Sequence, residues 1–88
     1  MQESLIQSKI IKALQGKGWI VIRLRSTSES GWPDLLALRN GRAVFIEVKD
    51  PKGKTSDIQS YKHNMLRMEK FEVYTVDNTK ILRELKLT

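Results

Sequence analysis

The sequence has 88 residues, with 16 Lys plus Arg against 10 Asp plus Glu, a formal net charge of +6, and no cysteine. This length suits one modest core, so residues 1–88 read as a single domain. A disulfide scaffold and a thiolate zinc cluster are excluded. No segment approaches the roughly 20 apolar residues of a membrane span, and no signal-like stretch opens the chain, so a soluble, cytoplasmic protein is expected. The basic excess favours polyanions, nucleic acid first, although it also serves solubility.

Residues 3–15 predict a helix, with Ile6, Ile10, Ala13 and Leu14 as its buried stripe and Leu5 and Ile11 widening it. Gly16-Lys17-Gly18 stops it. Trp19 to Leu24 reads as a strand. A polar loop follows from Arg25 to Pro33, where Pro33 pushes Trp32 toward extended backbone. Asp34 enters a second strand at Leu35 to Leu38. Asn40-Gly41 is a strong hairpin signal, and the third strand is Ala43 to Lys49. After a turn at 50–54, a helix spans 56–69 with Thr55 or Ser56 as cap and Ile58, Tyr61, Met65 and Met68 at helical spacing. Phe71 to Val76 is the last strand, and residues 80–87 form a short terminal helix with Ile81, Leu82 and Leu85 inward. The expected order is α-β-β-β-α-β-α.

A two-residue turn at Asn40-Gly41 pairs Arg39 with Arg42, Leu38 with Ala43 and Leu36 with Phe45, and so sets Asp34 opposite Glu47. Facing Cβ atoms in such a pair lie about 4.5–5.5 Å apart, and strand alternation puts Lys49 on the face of Glu47. Two carboxylates this close are unfavourable unless a cation joins them. Lys49 supplies part of that compensation, and magnesium or manganese, which prefer carboxylate and water ligands, would supply more. The same three residues also fit a plain salt bridge at a sheet edge.

Further residues read two ways. Glu3, on one helical face with Gln7, is either an added acidic ligand or a first-turn residue suited to the helix dipole. Gln59 can hydrogen-bond a phosphate or an attacking water. Gln59, His63 and Arg67 form an i, i+4, i+8 line which, with Lys62, suits a DNA backbone or is simply solvated. Ser26, Ser30 and the Gly31 backbone are candidate phosphate contacts, and Lys52 and Lys54 candidate backbone grips. Trp32 is either a base-stacking wedge or a packing aromatic, while Trp19, Phe45, Tyr61 and Phe71 are expected to pack. No Walker loop or nucleophile elbow is present, so no nucleotide cofactor and no serine-type triad are expected.

Ser30-Gly31-Trp32-Pro33-Asp34-Leu35 followed by Phe45-Ile46-Glu47-Val48-Lys49 resembles the PD-(D/E)XK nuclease signature. More narrowly, the chain is similar to the virus-type replication-repair nuclease (VRR-NUC) domain in its small, phage-like form. Glu3, Gly31-x-Pro33-Asp34, Glu47-x-Lys49 and Gln59 match that pattern in order, across nearly the whole chain. The resemblance implies an α/β, restriction-endonuclease-like core of order α-β-β-β-α-β with a short C-terminal helix. It also implies Mg2+ or Mn2+ and hydrolysis of DNA phosphodiesters. Asp34 and Glu47 would be metal ligands with Glu3 as an auxiliary one, Lys49 the catalytic lysine and Gln59 a supporting residue. Small members resemble homodimers acting on branched DNA such as four-way junctions. One departure stands out, since Lys70-Phe71 occupies a place where many members have glycine. The competing readings are a non-catalytic basic DNA-binding subunit and a nuclease of the same fold acting on duplex DNA or RNA.

Overall fold

Ile6, Ile10 and Leu14 recur at helical spacing and bury one stripe of helix α1, Glu3–Gln15. The computed structural model describes residues 3–24, 30–50 and 56–88, with Glu3 described by its backbone alone. Ile11 widens the stripe as expected, but Leu5 is exposed. At 3.6 residues per turn, position 5 points well away from the centre of the stripe.

Four strands form one sheet in the order β1-β2-β3-β4: β1 Ile20–Arg23, β2 Leu35–Arg39, β3 Arg42–Val48 and β4 Glu72–Val76. The first three are antiparallel neighbours. β4 runs parallel to β3 after a crossover through α2, Asp57–Met68. Helix α3, Lys80–Glu84, closes the expected order. Asn40 and Gly41 adopt φ of 49° and 78°, the left-handed pair that a tight hairpin turn requires. Arg39 then pairs with Arg42, Leu38 with Ala43 and Leu36 with Phe45, the expected register, and the ladder ends at Leu35 with Ile46.

The core lies on one side of the sheet. Leu35, Ala37, Val44, Ile46, Val48 and Val76 pack against the α1 stripe, joined by Leu82 and Leu87. Trp19 belongs to this core, and its Nε1 donates to the Leu87 carbonyl at 2.7 Å, tying the last residues to the start of β1. Arg42 lies over the Trp19 ring and forms a two-pronged pair with Glu72, at 2.6 and 2.7 Å.

Helix α2 overturns an expectation. Ile58, Tyr61, Met65 and Met68 share one face, but that face points to solvent, with Tyr61 62% and Met68 80% exposed. The buried residue of α2 is His63. The cause lies in β3, whose residue beneath this helix is the carboxylate Glu47. A buried carboxylate needs polar partners more than apolar contact, so the polar line of α2 turns inward. Tyr61 therefore does not pack inside, and Phe71 is partly exposed with an edge-on contact to Phe45 at 5.9 Å. Among the described residues, no helix is long and apolar enough to cross a membrane.

Candidate active site

The loop before β2 is shaped by glycine and proline. Gly31 adopts φ +92°, and a Cβ there would stand 2.8 Å from the Ile58 carbonyl oxygen and 3.0 Å from Lys62 Cγ. Only glycine permits both this backbone and the close approach to α2. Pro33 is fully buried. The loop delivers Asp34 at the mouth of β2, where its Oδ2 accepts a hydrogen bond from the Val48 backbone N–H at 2.8 Å. The Asp34 carbonyl accepts from Leu24 N–H at 2.8 Å. Asp34 thus sits just beyond the last ladder pair, with its carboxylate anchored to β3 one residue past Glu47.

Glu47 is 2% exposed, a carboxylate on the α2 side of the sheet. Gln59 Nε2 donates to its Oε2 at 2.8 Å. The other end of that amide is also held: Gln59 Oε1 accepts from the Ser56 backbone N–H at 3.0 Å, while Ser56 Oγ accepts from the Gln59 N–H at 3.3 Å. This reciprocal cap fixes the start of α2 and aims one side chain at Glu47. Lys49 Nζ stands 3.8 Å from Oε2, with a partly buried side chain. His63 Nε2 stands 3.8 Å from Oε1, and His63 is 3% exposed. Burial pushes the His63 imidazole below its ordinary range. The Arg67 charge adds to that shift, Asp34 opposes it and Lys49 reinforces it.

The structure thus gathers Asp34, Glu47 and Lys49 at one end of the sheet, where the hairpin register places them, and brings Gln59 to them from α2. It also turns Gln59 and His63 from the solvent side to the sheet, while Arg67 remains exposed. Gln59 and His63 address Glu47, and Arg67 Nη2 donates to the Val73 carbonyl at 2.9 Å. A phosphate contact from buried His63 is no longer the natural reading. Lys62 stacks on the ring of half-buried Trp32 at 4.5 Å, and Ser30 is exposed on the same loop. Ser26, Lys52 and Lys54 lie outside the described residues, as does the side chain of Glu3.

Among the described residues, no group of three or more His, Cys, Asp and Glu side chains gathers as a metal cage. Two neighbouring carboxylates are nonetheless a donor set that suits magnesium, which keeps several waters and takes one or two carboxylates. Asp34 and Glu47 are the residues that would hold it. The carboxylate of Glu47, buried yet adjoined by a lysine and an amide, fits that use better than a surface salt bridge.

The sequence pattern of the archaeal Holliday junction resolvase (Hjc) family matches residues 5–82. The chain belongs to that family. A solved structure described as a VRR_NUC domain is 30% identical and superposes with a TM-score of 0.84, covering 96% of this chain and 92% of its own. “Putative nuclease p44” of Acyrthosiphon pisum secondary endosymbiont phage 1 is 29% identical over 79 residues, which is 89% of this chain and 85% of that protein. The Hjc-family chain therefore has the nuclease fold that its motifs implied, with the expected order of elements.

Two functional features of this Hjc-family member escaped the sequence reading. Ser56 acts on Gln59 as well as capping the helix, and Ser-x-x-Gln is the signature that would have shown it. The inward turn of His63 carried no such signal, because it depends on which residue of β3 lies beneath α2.

Proposed function

We propose that the protein is a metal-dependent endonuclease hydrolysing DNA phosphodiesters, with branched DNA such as a four-way junction as substrate and Mg2+ or Mn2+ as cofactor. The single observation that carries this reading is Glu47. It is a fully buried carboxylate held by Gln59, flanked by Lys49, at the strand end where Asp34 is pinned to Val48. The Hjc family name and the nuclease relatives support it.

In this reading Asp34 and Glu47 bind the cation, with Glu3 as a further carboxylate from α1. The bound cation would lower the pKa of a water and neutralise phosphoryl charge. Lys49 Nζ, on the same edge, faces the scissile phosphate and stabilises negative charge developing at phosphorus. Gln59 keeps Glu47 in one orientation rather than touching the substrate. Ser30, the Gly31 backbone and Lys62, with Ser26, Lys52 and Lys54, hold the DNA backbone through charge and hydrogen bonds, without base readout. The whole chain acts as one domain, in the cytoplasm.

Paired cuts across a junction call for two sites, so the active form is a homodimer. The outward apolar stripe of α2, Ile58, Tyr61, Met65 and Met68, is the surface that suits a second copy. A polyanion gains nothing from it, and it lies on the helix whose inner side holds Glu47. Two-fold packing of α2 on α2 sets the two sites on either side of the axis.

The test is parallel cleavage of a four-way junction, a flap, linear duplex, single-stranded DNA and RNA, each with Mg2+, Mn2+ or chelator. Junction cutting with either metal and none with chelator is expected. Tight, salt-sensitive binding with no cleavage under any condition would instead establish a non-catalytic DNA-binding subunit. Preferred cutting of RNA or plain duplex would overturn the substrate.

A further inference from the structure

His63 is the only buried polar residue besides Glu47 among the described residues, and it sits on the inner face of α2 one turn after Gln59. Its Nε2 is enclosed and accepts or donates no hydrogen bond among the described residues. Glu47 Oε1 stands 3.8 Å from it, while Gln59 Nε2 already binds Oε2 at 2.8 Å. A buried ring nitrogen without a partner is costly, and proteins keep one where it serves a site.

We infer that His63 is a positioning residue for Glu47: its Nε2–H donates to Oε1, so that His63 and Gln59 clamp the two carboxylate oxygens from successive turns of α2. The inference rests on the reading of Glu47 as a metal ligand. The separation is longer than a direct hydrogen bond, and a small rotation of either side chain closes it. An ionised carboxylate offers about four acceptor sites, so Gln59 and His63 do not by themselves exhaust it. The i, i+4 spacing of Gln59 and His63 is what allows one helix to supply both donors. Partners of this kind fix a ligand's orientation, and their loss characteristically weakens metal binding about 10–100-fold.

The experiment uses the whole chain with Mn2+ as probe, measured by calorimetry, alongside junction cleavage. His63→Leu fills the space without a donor, and His63→Gln restores one. His63→Leu is expected to bind Mn2+ about tenfold more weakly and to lower kcat with KM for DNA unchanged. His63→Gln is expected to recover most of both. Wild-type affinity in His63→Leu, or equal weakness in both variants, overturns the inference, the second result because it marks the ring itself as a ligand or as mere packing. A ¹⁵N spectrum of metal-free wild-type protein tests it without any variant. The ring proton is expected on Nε2 with slow solvent exchange, and a proton on Nδ1 contradicts the clamp. If wild type neither binds Mn2+ nor cleaves while the proton is on Nε2, the nuclease reading fails and the contact to Glu47 stands.

Discussion

Asp34 and Glu47 are thirteen positions apart in the chain, yet one short turn decides their relation. Asn40 and Gly41 both take the left-handed backbone, and every pair from Arg39–Arg42 inward follows from that. This part of the site was legible because strand alternation has no freedom once a turn is fixed. Another left-handed residue was visible only as an oddity. Lys70, the departure from the family's glycine that the resemblance singled out, sits at φ 72° just past α2. Left-handed backbone costs a side-chain-bearing residue about 1–2 kcal/mol, and glycine avoids that cost while losing more chain entropy. Lys70→Gly is therefore expected to stabilise the fold by up to about 1 kcal/mol in denaturant unfolding, with site geometry unchanged. A clear loss of stability would show that the Lys70 side chain contributes something the backbone argument omits.

At the scale of elements, the sequence pattern located the three helices and four strands found among the described residues, and the C-terminal end of α1 was legible because Gly16-Lys17-Gly18 stops it sharply. Orientation was less legible. Periodicity shows that α2 has an apolar stripe, but which side of a helix meets the sheet depends on what the sheet offers. β3 offers Glu47, so α2 turns Gln59 and His63 inward and leaves Tyr61 and Met68 outside. That inversion leaves the outer stripe of α2 as the proposed subunit contact. Replacing Tyr61 and Met68 together by Lys leaves the core and Glu47 untouched. The double variant is expected to sediment as a monomer at concentrations where the wild type is a dimer. A dimeric double variant would place the interface elsewhere.

For the molecule as a whole, the far edge of the sheet is held by charge as well as by packing. Hydrogen bonding from Arg42 holds the Glu72 carboxyl below its ordinary range, opposed by partial burial and helped by the Tyr74 hydroxyl at 2.7 Å. Because the folded pKa is depressed, the unfolded chain takes up the proton first as pH falls. The stabilisation is fully present above the ordinary carboxylate range and is lost as pH falls below that range and through the depressed folded value. Both side chains are about a third exposed, at 36% and 32%, so solvent screening keeps the pair to roughly 1 kcal/mol or less. The unfolding free energy of wild type should exceed that of Glu72→Gln near neutral pH, with the gap narrowing as the solution is acidified below the ordinary carboxylate range. A gap independent of pH would mean that packing, and not ionisation, is what Glu72 contributes.

The central claim is that Asp34 and Glu47 form one cation-dependent hydrolytic site. It is tested most directly by the single-turnover rate of four-way junction cleavage in Mg2+, comparing wild type with folded Asp34→Ala. The expected result is a loss of at least about a hundredfold, the scale on which removing one group that stabilises transition-state charge is felt, with junction binding in the absence of metal retained. Cleavage by clean, folded Asp34→Ala at close to the wild-type rate would contradict the account.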